Sequence, residues 1–226
     1  MGHKGKRQKA DDEWQTVTPA REPTQLGACE GPSRVVLLRH GQSLMNLTQE
    51  DIPDSVLSED GLKQAASWHG FIGRFGAEVV LVSPLRRAVQ TACLAFEGEA
   101  APLELCRHAR ELWWDEKVNM PGTPAEMRRL LRGLPGGKEV QEVDEALVPG
   151  SDDPETEEDS IRRLQQVLAA RPESTVAVVC HWGVINALCG ANASNCDVIE
   201  CEPRVGGRFN FRILDQHKPP GGPRTS

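Results

Sequence analysis

The sequence predicts an α/β fold: a three-layer sandwich with a mostly parallel sheet, an antiparallel edge hairpin, and helices on both faces. Three observations predict it. Residues 35–38, 79–82 and 176–179 are unbroken apolar runs rich in valine, as expected of strands buried on both faces. Segments with helical apolar spacing separate these runs, so successive strands are joined by crossovers and lie parallel. Near the end, residues 198–202 and the alternating residues 208–213, joined through Pro203 and Gly206-Gly207, read as a hairpin at a sheet edge.

Residues 1–32 are polar, hold Pro and Gly, and show no apolar period, so a flexible tail is expected there. Lys4, Lys6, Arg7 and Lys9 offer a basic docking patch as the alternative. No apolar stretch follows this basic start, so no secretory leader is expected. Lys6 stands where a myristoylation signal carries Ser or Thr.

The first strand, 35–38, runs directly into Arg39-His40-Gly41-Gln42-Ser43. Ligands of open α/β sheets sit beyond the carboxyl ends of strands, so Arg39 and His40 are aimed at a substrate. Gly41 permits a tight turn or close approach to a ligand. Residues 46–58 read as a polar loop, after which Ser58 caps a helix with Leu62, Ala65, Ala66 and Phe71 on one side. The second strand, 79–82, leads into Ser83-Pro84-Leu85-Arg86-Arg87. With Ser83 as N-cap and Pro84 as first helical residue, one or both arginines occupy a first turn, where backbone N–H groups favour anions.

A short third strand is expected at 103–106, followed by acids beside large aromatics in Arg110-Glu111-Leu112-Trp113-Trp114-Asp115. Thr123 and Glu126 form a capping box for a helix reaching about Leu134. Its Arg128, Arg129 and Arg132 are read as a solvated face, contact with an extra anionic group of a substrate being the alternative. The acidic stretch 136–159 is expected to be a surface loop. Thr156 then caps a helix carrying Ile161, Leu164, Val167 and Leu168. The last buried strand, 175–180, ends in His181-Trp182-Gly183, repeating the first strand's pattern, and a small helix occupies 184–189.

Composition excludes several classes of function. The net charge of −7 disfavours a nucleic-acid binder. No apolar run is long enough to cross a bilayer, so no membrane partner is expected. Seven cysteines without a CxxC pair point to free thiols in a reducing compartment, the cytoplasm by default, and to no zinc site.

If the strand ends share one rim, Arg39, His40, an arginine of the Arg86-Arg87 pair, and His181 converge. Guanidinium forks suit the oxygens of a tetrahedral dianion. Neutral imidazole is a nucleophile near neutral pH, and a second imidazole, if protonated, stabilises the oxygens. The set is a trap for a phosphoryl group.

Leu38-Arg39-His40-Gly41-Gln42-Ser43 with Asn46, then Ser83-Pro84-Leu85-Arg86-Arg87-Ala88-Val89-Gln90-Thr91-Ala92, then Val179-Cys180-His181-Trp182-Gly183-Val184, resemble the histidine phosphatase superfamily in its phosphoglycerate mutase-like branch. The stretch 57–65 is similar to the family's first helix, and the match covers roughly 34–214. The resemblance implies that His40 accepts the phosphoryl group and that Arg39, Arg87 and His181 complete the catalytic pocket. Arg87 is preferred to Arg86 because the family arginine directly precedes Ala-x-x-Thr. Asn46, Gly41 and Ser43 are implied substrate contacts. Glu111 is the implied proton donor, with Asp115 and Glu116 as alternatives.

The expected domain therefore spans 33–215, between the N-terminal tail and a C-terminal tail at 216–226. The implied activity is hydrolysis of phosphomonoesters through a phosphohistidine, without metal or other cofactor, on small phosphorylated molecules ahead of phosphoproteins. A mutase-type phosphotransferase and a silent phosphoanion-binding module are the alternatives. Leu47-Thr48-Gln49 replaces the Thr-Gly-Trp of typical mutases, which argues against the first. The intact pocket set argues against the second.

Overall fold

The computed structural model describes residues 31–113, 116–147, 156–204 and 210–221. A six-stranded sheet has the order β3-β2-β4-β1-β5-β6. Its parallel part comprises β1 (Arg34–Arg39), β2 (Val79–Val82), β3 (Leu103–Leu105) and β4 (Thr175–Cys180). β5 (Val198–Pro203) lies antiparallel to both β1 and the edge strand β6 (Phe211–His217).

Alternation along the strands divides the core in two. Val36, Leu38, Val80 and Val82 face one side, and Val35, Leu37, Val79 and Leu81 the other. The first side is covered by α2 (Glu59–Ala66), α3 (Arg86–Ala95), α4 (Pro124–Leu131) and α5 (Val143–Leu147). The second is covered by α6 (Glu157–Ala169) and α7 (Trp182–Cys189). This is the three-layer sandwich the sequence predicts.

Register brings the strand ends together. Arg39 is opposite Cys180 and Val82 opposite Val179, so β1, β2 and β4 stop at one rim. The ladder continues one step further: His40 N donates to Cys180 O at 3.0 Å and Ser83 N to Val179 O at 2.9 Å. His40 and His181 are therefore set side by side by backbone pairing before any side chain contributes.

Several local expectations are corrected. Residues 46–58 are not wholly loop, because α1 (Leu44–Thr48) forms a single turn with a capping box between Ser43 and Asn46. Of the four residues expected on the apolar side of α2, Ala65 is buried and Leu62 half-buried against the core; Ala66 is exposed, and Phe71 lies beyond the helix end, 52% exposed. Trp68 takes the core position instead, its Nε1 donating to Cys196 O at 2.8 Å. The acidic stretch contains α5, which buries Ala146 and Leu147.

Boundaries move as well. The helix capped by Thr123 stops at Leu131, and α7 begins at Trp182, two residues earlier than expected. β6 continues to His217, past position 215, and Lys218 Nζ donates to Asp197 Oδ2 at 2.6 Å. The N-terminal basic patch lies outside the described residues. No described helix is long and apolar enough to cross a membrane.

Candidate active site

His40 opens the loop after β1 and is 3% exposed. Its Nδ1 lies 2.7 Å from Gly41 O. A carbonyl only accepts, so Nδ1 carries the proton and Nε2 keeps its lone pair. His181, the N-cap residue of α7, is fully buried, with its ring centroid 5.0 Å from that of His40. Its Nε2 lies 2.7 Å from Ser83 Oγ.

Ser83 is not the N-cap of α3. That position belongs to Leu85, and the helix starts at Arg86 rather than Pro84. The reason is tertiary: Asp54 Oδ1 accepts from Arg86 N at 2.8 Å, capping the helix from a different loop and leaving the Ser83 hydroxyl to His181.

Arg87 is 1% exposed. Its guanidinium donates to Val118 O at 3.0 Å and to Asn119 Oδ1 at 2.8 Å, and Asn119 is anchored in turn by donation to Trp113 O at 2.9 Å. Arg39 donates to Ala193 O at 2.8 Å. Arg39 Nε, Arg87 Nε and His181 Nδ1 are buried with no hydrogen-bond partner among the described residues. Three polar nitrogens at one rim, two of them guanidinium, suit a phosphoryl group. Arg86 turns the other way, its Nε donating to Asp54 O at 2.6 Å.

Glu111 is 8% exposed, and its carboxylate accepts from Leu112 N at 2.9 Å and from Gly183 N at 3.4 Å. The glycine at 183 is required by this approach: a Cβ there would lie 2.5 Å from Glu111 Oε1. Glu116 is exposed, and Asp115 lies outside the described residues. Trp113, 40% exposed, stacks on Trp182 at 6.4 Å beside Glu111 and His181.

The other predicted contacts have architectural partners. Gly41 N donates to Thr91 Oγ1 at 3.0 Å, and a Cβ on Gly41 would lie 2.6 Å from Gly61 O, so this glycine serves helix packing. Ser43 is fully buried and caps α1. The Asn46 Oδ1 accepts from Ser43 N at 3.2 Å and lies 3.5 Å from Asn195 Nδ2, which donates to His40 O. Sequence reasoning missed Asn119 and Asn195. Neither sits in a motif or on an apolar period, so no signal marked them.

Electrostatics separates the groups by role. Burial, then Arg87 and Arg39, holds His40 well below 6.5. Burial, then Arg87, His40 and Arg39, does the same to His181, which disfavours the protonated form that the sequence allowed for the second histidine. Burial raises Glu111 above 4.5, against its two backbone hydrogen bonds and the charges of Arg87 and Arg39. Arg87 is lowered by burial to about 10 and remains charged at neutral pH. The thiol of Cys180, beside His181, is pushed up by burial, as an inert core thiol would be.

The histidine shifts predict a pH dependence of stability. Unfolded histidine titrates near 6.5, while both folded imidazoles stay neutral well below it, so the unfolded chain binds more protons as pH falls. Their contribution is complete above that pH and is lost on acidification, at up to about 1.4 kcal/mol per pH unit per histidine. Glu111 opposes this as pH falls through its raised value. Unfolding free energies from urea titrations should be flat from about pH 8 to 7 and then fall by about 1–2 kcal/mol per unit below about 6.5. A flat profile there would mean that the folded histidines are charged.

Elsewhere, Glu200, Asp215 and His217 bring three metal-ligand types together at the sheet edge. Arg34 pairs with Glu200, and Arg74 Nη2 lies 3.1 Å from His217 Nδ1, so this is an ion-pair network.

A family profile described as histidine phosphatase superfamily (branch 1) matches residues 35–198. The Bacillus subtilis protein named uncharacterized phosphatase PhoE is 27% identical over 159 residues, 68% of this chain and 74% of that protein. A mycobacterial glucosyl-3-phosphoglycerate phosphatase, solved with VO3, superposes with a TM-score of 0.52 at 21% identity, covering 84% of this chain and all of that one. A putative alpha-ribazole-5'-phosphate phosphatase from Escherichia coli gives a TM-score of 0.52 at 17% identity, covering 80% and 96%. These two likenesses are of fold.

Proposed function

Because the chain belongs to branch 1 of the histidine phosphatase superfamily, we propose that it hydrolyses phosphomonoesters through a phosphohistidine on His40. The observation that carries the reading is the free Nε2 of a neutral His40, with two buried arginines, His181 and a protonatable Glu111 at the same rim. The depth of the site, with His40, His181 and Arg87 each 3% exposed or less, favours small phosphorylated molecules over protein surfaces.

Two steps suffice. His40 Nε2 forms a bond to phosphorus as the ester P–O bond breaks, and Glu111 transfers its proton to the departing oxygen. The Glu111 carboxylate then takes a proton from water, whose oxygen displaces His40 from phosphorus and releases inorganic phosphate. Arg39 and Arg87 hold the non-bridging oxygens through both displacements, supplying charge that a metal would otherwise bring. As the dianion enters, its charge draws the His181 pKa back up, and His181 becomes a charged donor only while the substrate is bound.

Six cysteines among the described residues are free and buried, in keeping with a reducing compartment such as the cytoplasm. The direct test is a single-turnover incubation with a labelled aryl phosphate in the presence of a chelator. Label on the protein that is acid-labile and base-stable, and that decays to free phosphate, is expected. Turnover with no protein-bound label would refute the covalent route.

A further inference from the structure

The loop joining α1 to α2 buries an acid that neither catalytic step uses. Asp54 is 4% exposed and sits at φ +40°, in the left-handed region that a residue other than glycine adopts only at a cost. Its carboxylate is divided between two segments. Oδ1 accepts from Arg86 N at 2.8 Å, and Oδ2 accepts from Gly122 N at 3.2 Å. The Arg86 side chain closes the joint from the other side, its Nε donating to Asp54 O at 2.6 Å and its Nη2 to Pro53 O at 3.2 Å.

Those two segments are the two sides of the grip on Arg87. Arg86 N belongs to the first turn of α3, the helix that carries Arg87. Gly122 follows closely on Val118 and Asn119, whose oxygens accept from the Arg87 guanidinium. One carboxylate therefore ties the helix that bears the donor to the segment that bears the acceptors. The loop is also fastened to the chain just after His40, because Leu44 N donates to Val56 O at 2.9 Å and Ser58 N to Gln42 O at 2.9 Å. Asp54 reaches Arg87 by charge as well, and there its effect has the opposite sign: an anion near the pocket repels an entering phosphate.

We infer that Asp54 is a positioning residue for phosphoryl transfer, fixing the Arg87 guanidinium by clamping the start of α3 to the segment 118–122. This rests on the phosphatase reading and adds to it a residue that touches neither substrate nor reacting atoms.

Asp54→Asn tests the clamp. Asn tolerates a left-handed φ, but an amide has a single acceptor oxygen and must turn its N–H groups toward one of the two donors. The exchange should lower kcat on p-nitrophenyl phosphate about 10- to 100-fold, the range expected of a misplaced pocket group. Titration calorimetry on the full chain should show Kd for inorganic phosphate rising about tenfold. Tighter phosphate binding would overturn the inference, because the acid would then act through its charge alone. In an Arg87→Ala background, Asp54→Asn should cost less than about twofold in either measurement. Equal losses in both backgrounds would overturn the inference by showing a general loosening of the fold. Thr156→Ala removes the cap of α6 on the opposite face of the sheet, so it should lower stability and leave kcat and Kd as in wild type. Losses there equal to those of Asp54→Asn would also overturn the inference. If Asp54→Asn does not fold, Arg86→Ala opens only the side-chain half of the joint. Its loss should be smaller, about threefold, and should likewise vanish beside Arg87→Ala; a loss that persists there would count against the clamp. If wild type turns over no phosphomonoester, the phosphatase reading fails, and the phosphate affinities alone still decide whether Asp54 acts through Arg87.

Discussion

Replacing His40 by Ala should lower kcat toward aryl phosphates by on the order of 10⁴–10⁶-fold, the size of effect seen when a covalent nucleophile is removed. The prediction follows from one tautomer. Gly41 O holds the Nδ1 proton at 2.7 Å, which aims Nε2 away from its own backbone and keeps its lone pair available. Burial beside Arg87 and Arg39 keeps the ring neutral, so the nucleophile is not lost to protonation near neutral pH. The variant should bind phosphate at least as well as wild type, because both arginines remain. It should also fold, because an imidazole is lost from a site already crowded with cationic groups. Equal thermal midpoints with activity gone, and partial rescue of His40→Gly by added imidazole, would assign the loss to chemistry. Activity within about tenfold of wild type in His40→Ala would place the nucleophile elsewhere.

How far the site could be read before the structure depended on whether each residue's partner was local. β1, β2 and β4 were legible because strands buried on both faces need uninterrupted apolar residues, and such runs have few other uses. Their shared rim followed from crossover topology, which brought Arg39, His40, Arg87 and His181 within reach of one another. α1 escaped because it is a five-residue turn with no buried residue, held by the Ser43–Asn46 capping box. α5 escaped because it is only five residues long and its core contacts, Val143, Ala146 and Leu147, are set in an acidic stretch. Ser83 illustrates the limit most clearly. Ser before Pro is a sound local capping signal, but Asp54, distant in sequence, reaches the helix first and releases the hydroxyl to His181. Asn119 and Asn195 reach the site through such distant partners, Arg87 and the His40 carbonyl, and composition carries no trace of them.

Glu111→Gln gives the second large effect, and its size should depend on the leaving group. A proton donor matters in proportion to how poorly the departing oxygen carries charge. Alkyl phosphates, whose alkoxides are strong bases, should lose about 10³-fold in kcat, whereas p-nitrophenyl phosphate should lose much less. Burial raises the Glu111 pKa, so wild-type activity on alkyl esters should fall as pH rises through that raised value and the donor form disappears. It should also fall at lower pH, where His40 finally takes a proton. In Glu111→Gln the alkaline limb should vanish and the acid limb remain. The exchange keeps the shape beside Gly183, where there is no room for a Cβ, so the loop should hold its place. Glu116→Gln is the control: that residue is exposed, and its loss should leave both limbs intact. An unchanged alkaline limb in Glu111→Gln, with equal losses for alkyl and aryl esters, would move the donor's role to another group. A limb lost only with alkyl substrates would identify the group that titrates with the group that delivers the proton.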